Sequence, residues 1–212
     1  MFFVKKTCME LSVMPFAVKN KMVADQFDIS ELALKLKNGS LALFPTDTLP
    51  ALSSYPKYSQ KIWTIKKRPL NKPLILMGGC LEDLFEFVQP CAIEDGLKMA
   101  KIYWPGALTI ILPTTGKISE YLNCNSNTVG FRVPALKMAR DLLIQSGPLA
   151  TTSANLSGES PVENALEASV QFPGIPILGP APWPNSSGMA STVIEWNQGQ
   201  WKLIRPGSVV LN

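Results

Sequence analysis

The strongest constraint on the fold is an alternation along the chain. Short apolar runs at LALF (41–44), PLILM (73–77), LTIIL (108–112), TVGFRV (128–133) and PLATT (148–152) are interleaved with segments of helical period. Each run is too short for a core helix and is bounded by Pro, Gly or hydroxyl residues, as buried strands are. Asp28 and Glu31 have capping-box spacing, Ile29, Leu32, Ala33 and Leu36 share one face, and Gly39 can close the turn, which predicts a helix over 29–38. Similar patterns predict helices over 59–67, ended by Pro69, and over 81–88, 94–103, 135–145 and 162–170. STVIEW (191–196) and WKLIR (201–205) flank an Asn-Gln-Gly turn and read as a hairpin. An antiparallel hairpin among alternating strands and helices points to a mixed sheet covered by helices. The proline-rich segment 173–190 reads as an irregular crossing loop and a candidate lid.

A chain of 212 residues, 46% of them hydrophobic, suits one domain or at most two small ones. Residues 1–24 read as a poorly specified N-terminal extension, with Met14 and Met22 as alternative initiators, ahead of a single domain over 25–212. Lys5, Lys6 and Glu10 interrupt its apolar stretch, and no segment approaches the length of a membrane span, so no membrane is expected. The net charge of +4 fits anionic ligands, nucleotide or nucleic acid alike.

There is no histidine, which excludes an imidazole base, a Ser-His-Asp triad and a His-ligated zinc site. The cysteines, Cys8, Cys80, Cys91 and Cys124, form no CxxC and read as free thiols of a reducing cytosol, hence a cytoplasmic protein.

Polar residues gather where strands end. FPTDT (44–48) and TTSANLSG (151–158) follow apolar strands and KKRPLNKP (66–73) lies between a helix and a strand; α/β proteins place ligands beyond strand ends. Lys66, Lys67, Arg68 and Lys72 suit a polyphosphate and equally a solvated basic turn; Pro69 and Pro73 favour a fixed loop. The hydroxyls of TTSANLSG suit an anion, or a capping and turn cluster. Arg132 inside an apolar strand requires a partner, either a structural carboxylate or a ligand. There is no GxxxxGK[ST] and no GxSxG.

In order along the chain stand PTDT (45–48), KKRPLNKPL (66–74), WPGALT (104–109), GFRVP (130–134), TSANLSG (152–158), STVI (191–194) and IRPG (204–207). Together they resemble the YrdC-like threonylcarbamoyl-AMP synthases over about residues 28 to 208. The resemblance implies an α+β fold, three-layer α/β/α, with a twisted mixed open sheet and a concave basic cleft. It implies synthesis of threonylcarbamoyl-AMP and pyrophosphate from ATP, L-threonine and bicarbonate, with Mg2+ accompanying ATP. It further implies a downstream tRNA threonylcarbamoyl transferase that modifies the adenosine next to the anticodon, and leaves open a weak affinity for tRNA.

By position, the resemblance implies Lys66 and Arg68 as catalytic residues and Thr48, Arg132, Thr151 and Ser191 as contacts of threonine. Arg68, Lys72, Thr128, Ser153, Ser160 and Arg205 would contact ATP, and no protein metal ligand is implied. Several residues depart from the family pattern. Pro50-Ala51 replaces Tyr-Gly, Lys67 replaces Gly, Met77 stands where some members have His, and the loop before Ser160-Pro161 is one residue short. The alternatives are a diverged relative acting on another carbamoyl or nucleotide substrate, and an RNA-binding module.

Overall fold

Helix α1 (Ile29–Lys37) begins where its sequence predicts. The Asp28 carboxylate accepts the Glu31 N–H at 2.9 Å, and the Glu31 carboxylate accepts the Asp28 N–H at 3.4 Å. This reciprocal cap satisfies two N–H groups that have no partner inside the helix. The computed structural model describes residues 25–122 and 126–211. The expected extension, with Met14, Met22 and Cys8, lies outside the described residues, as does Cys124.

After β1 (Gln26–Phe27) and α1 come β2 (Ala42–Phe44), β3 (Ala51–Ser54), α2 (Gln60–Lys66), β4 (Ile75–Met77), α3 (Leu81–Phe85), α4 (Pro90–Tyr103) and β5 (Leu108–Pro113). Then follow α5 (Ile118–Leu122), β6 (Thr128–Arg132), α6 (Lys137–Ser146), β7 (Leu149–Ser153), α7 (Ala165–Gln171), β8 (Ile177–Leu178), β9 (Thr192–Asn197) and β10 (Gln200–Arg205). The strands form one mixed sheet in the order β1-β8-β2-β3-β7-β4-β6-β5-β9-β10.

Several elements differ from the sequence expectation. Helix α4 starts at Pro90, because proline's missing N–H costs nothing in a first turn. Helix α7 starts at Ala165, where the Asn164 side chain accepts the Glu167 N–H at 3.0 Å. Strand β3 and helix α5 carry no clear sequence signal. Segment 173–190 is not irregular throughout: Ile177 and Leu178 are fully buried in β8, between β1 and β2, and the buried Trp183 indole donates to the Leu178 carbonyl at 2.7 Å.

Side chains alternate across the sheet. One face carries Leu43, Leu52, Leu76, Ala150, Leu108, Ile110, Leu112, Val129, Phe131 and Ile194, packed under α2, α4, α5 and α7. The other carries Ala42, Phe44, Ala51, Met77, Leu149 and Leu178, packed under α1 and α6. That second helical layer covers only the β8-β2-β3-β7-β4 half. Over β6, β5 and β9 the same face is uncovered, so the expected three layers hold on one half of the sheet and the other half leaves a concavity.

Candidate ligand-binding cleft

The uncovered face floors a cleft of about 590 Å3. Its floor follows from strand alternation: Val129, Phe131, Leu108 and Ile110 point into the core, so Thr128, Gly130, Arg132, Thr109 and Ile111 point out of it. Register pairs Ile75 with Thr151 and Gly130, and Gly130 with Ile111. A Cβ on Gly130 would stand 3.0 Å from Ile75 and 3.1 Å from Thr109, so glycine keeps the floor low.

At one side Arg132 is 3% exposed. Its Nε donates to the Gly106 carbonyl at 3.0 Å and Nη1 to the Thr48 hydroxyl at 2.7 Å. Nη2 lies 2.9 Å from Asp47 Oδ2 as an ion pair, yet has no aligned hydrogen-bond acceptor. Burial lowers the guanidinium pKa and Asp47 offsets part of that. Asp47 is itself held, because its Oδ1 accepts the Ala135 N–H at 2.8 Å. The Thr46 hydroxyl donates to the Leu49 carbonyl at 2.7 Å and accepts the Thr48 N–H at 3.1 Å, which fixes the PTDT loop. Thr151 Oγ1, across β4 from Arg132, is buried without a partner. Two buried polar atoms without hydrogen bonds in one cleft are what a ligand would satisfy.

Arg68 and Lys72 line the cleft from the basic loop. Arg68 donates to the carbonyls of Lys72 and Pro73 at 3.1 and 2.9 Å, and Trp63 Nε1 donates to Lys72 O at 3.2 Å, so the loop is fixed by its own backbone. Burial lowers the Arg68 pKa. Lys66 does not line the cleft. Its side chain is 1% exposed, and Nζ donates to the carbonyls of Ser153 and Asn155. Burial, with the neighbouring Arg68 charge second, brings its pKa down to about 7. Lys66 therefore ties the end of α2 to the SAN loop.

Ser153 and Thr128 line the cleft; Ser160 is exposed and lies outside it. Across β5 from Arg132, Ser191 Oγ is 2.9 Å from Thr109 Oγ1, and Arg205 Nη2 donates to Ser191 O at 2.7 Å. A Cβ on Gly207 would lie 2.4 Å from Ala190 O, so the closing RPG packs against the backbone that presents Ser191. Ser187 and Gly188 donate backbone N–H bonds to the carbonyls of Asp47 and Thr48, setting the end of the proline-rich segment beside the PTDT loop. Sequence reasoning passed over Asp47, Thr46, Thr109 and Glu195 as site residues. Asp47 is signalled only by its place in PTDT, and Glu195 only by alternation from Val193.

A mixed α+β sheet with one uncovered face, rimmed by Arg68, Lys72, Arg132 and Arg205 and lined with threonine and serine hydroxyls, defines a binder of small anionic ligands of nucleotide size. Residues 35–207 match the Sua5–YciO–YrdC family, described as Telomere recombination, and the chain belongs to that family. It is 34% identical over 155 residues to the threonylcarbamoyl-AMP synthase of Idiomarina loihiensis, covering 71% of this chain and 82% of that protein. It is 32% identical over 201 residues to that of Bacillus subtilis, covering 91% of this chain and 57% of that one. The crystal structure of Pyrococcus abyssi Sua5 complexed with L-threonine superposes with a TM-score of 0.78 at 29% identity, covering 87% of this chain and 56% of that one. The chain thus spans most of the Idiomarina relative and little more than half of the other two.

Proposed function

We propose that this chain is an L-threonylcarbamoyladenylate synthase, converting ATP, L-threonine and bicarbonate into threonylcarbamoyl-AMP and pyrophosphate. The observation that carries this reading is Arg132. It is a buried guanidinium held by Thr48 and Asp47, with Nη2 free of an aligned acceptor and the unpartnered Thr151 hydroxyl across β4. That arrangement suits the carboxylate of an amino acid, since a charge-assisted fork gives both affinity and orientation.

In the reaction, the neutral threonine amine takes up the carbon of bicarbonate as a carbamate, with loss of water. A carbamate oxygen then attacks the α-phosphorus of ATP. A new P–O bond forms, the bond to the bridging oxygen breaks, and pyrophosphate leaves with that electron pair. Such chemistry needs orientation and charge neutralisation more than a protein base. Arg68 and Lys72, which line the cleft, would neutralise phosphate oxygens; Thr128, Ser153 and Arg205 would orient the nucleotide, with Ser191 and Thr48 beside the amino acid. Lys66 acts by holding the SAN loop in place.

Mg2+ would arrive with ATP. Among the described residues no cluster of three carboxylate, thiol or imidazole groups stands ready to hold it, and Glu195 is the one carboxylate lining the cleft, so phosphate oxygens would be its main ligands. The adenylate would pass to a tRNA threonylcarbamoyl transferase in the cytoplasm, where tRNA is its substrate. Among the described residues no helix is long and apolar enough to cross a membrane.

A second reading, a relative acting on another amino acid, is favoured by Pro50 and Ala51, both of which line the cleft. Pyrophosphate release from magnesium ATP and bicarbonate separates the two. Release that requires L-threonine and is lost in Thr48→Ala and Arg68→Ala supports the synthase. Release driven by a different amino acid supports the second reading, and ATP binding without release under any amino acid overturns both.

A further inference from the structure

Glu195 is half-buried, the one carboxylate in a cleft lined otherwise by cations, hydroxyls and apolar side chains, and its side chain makes no hydrogen bond or ion pair among the described residues. On β9 it pairs in register with Ile111 of β5 and with Lys202 of β10. From Ile111 the same row continues through Gly130 and Ile75 to Thr151. The floor is therefore an apolar strip with a hydroxyl at one end and a carboxylate at the other. Four strand spacings separate those ends, roughly 19 Å, which is the scale of an extended nucleoside triphosphate.

The ends differ in charge. Arg68 and Lys72 sit on the loop that leads into β4, on the Thr151 side, with Ser153 and Thr128 beside them. At the β9 end Ile111, Val193 and Ile204 line the cleft with Glu195, Lys202 stands opposite Glu195 on β10 outside the cleft lining, and Arg205 is turned onto the Ser191 carbonyl. A carboxylate repels phosphate, so the triphosphate belongs with Arg68 and Lys72. The apolar faces of a purine then lie over Ile111, Val193 and Ile204, with one edge of the ring at Glu195.

We infer that Glu195 accepts a hydrogen bond from the exocyclic amine of adenine and so selects ATP over 6-oxo purine nucleotides, an inference that rests on the proposed use of ATP. A 6-oxo group presents an acceptor to an acceptor. The loss of a hydrogen bond to a charged group lowers affinity by roughly tenfold to a hundredfold.

The test is calorimetric binding of ATP, inosine triphosphate and 2′-deoxy-ATP to the full chain and to Glu195→Gln, without threonine or bicarbonate. The wild-type chain is expected to prefer ATP over inosine triphosphate by at least about tenfold. Glu195→Gln, whose amide both donates and accepts, is expected to bring that ratio towards unity while leaving the ratio of ATP to 2′-deoxy-ATP unchanged. Ratios taken within one variant cancel any change in the folded fraction. An unaltered ATP-to-inosine preference in Glu195→Gln overturns the inference alone, as does a shift confined to the 2′-deoxy ratio, which would place the carboxylate on the ribose. Failure of the wild-type chain to bind ATP overturns the synthase reading and this inference with it.

Discussion

Arg132 and Lys66 are both buried cations, yet their surroundings set them different tasks. Arg132 keeps a carboxylate beside it and a donor spare, whereas Lys66 uses its ammonium on two backbone carbonyls. The Lys66 pKa of about 7 lies below its ordinary 10.5, so between those values the unfolded chain binds the proton more tightly. Stability from this group therefore rises as pH climbs from about 7 to 10.5, and below pH 7 the full cost of burying the charge remains. Urea unfolding of the wild-type chain and Lys66→Met should show the wild type gaining on the variant by on the order of 1–3 kcal/mol between pH 6.5 and 9.5. A difference independent of pH would contradict the shift. Arg132 was legible in the sequence because a charge amid GFRVP must be paired. Its partner was not, because Asp47 lies 85 positions away (132 − 47) and only the sheet brings the two together.

At the scale of elements, backbone geometry acts in opposite directions at Lys67 and Gly207. Helix α2 ends at Lys67 in the left-handed conformation, φ 48°, where a side chain crowds its own backbone. Lys67→Gly is expected to stabilise the chain by about 0.5–1 kcal/mol, read as a raised urea midpoint with unchanged slope. A lowered midpoint would show that the exposed lysine contributes more than its backbone costs. Gly207 presents the opposite case, since the added methyl of Gly207→Ala would meet the 190–192 backbone. That variant should raise the KM for threonine more than it lowers kcat, because the backbone it displaces carries Ser191; an unchanged KM would remove Ser191 from the threonine site.

The longer strands, α1 with its cap and the closing hairpin were readable because each carries its own period and stop signal. The Gln198-Gly199 turn, φ positive at both residues, is the tight hairpin form. Strand β3 was not readable, since Ser53 and Ser54 are polar yet fully buried, Ser53 donating to the Ala42 carbonyl at 3.1 Å. Nor was β8, whose two residues gain their strand character only from neighbours distant in sequence.

Over the whole molecule, function follows from an incomplete layer. Helices α1 and α6 cover one half of a sheet face, and the other half remains available to a ligand that lies along the strands' exposed side chains. Filling that space should stabilise the native chain as any native-state ligand does. In the presence of constant ATP, L-threonine at about 100 times its Kd should add roughly 2.7 kcal/mol, seen as a raised Tm, against no shift with threonine when Arg132 is replaced by Met.

The most direct measurement is incubation of the purified chain with magnesium ATP, L-threonine and 13C-labelled bicarbonate, followed by mass spectrometry of the nucleotides. An adenylate with the mass of threonylcarbamoyl-AMP, carrying the labelled carbon and formed in step with pyrophosphate, is the expected result. Pyrophosphate without the labelled adenylate, or a labelled adenylate that forms without threonine, would contradict the synthase assignment.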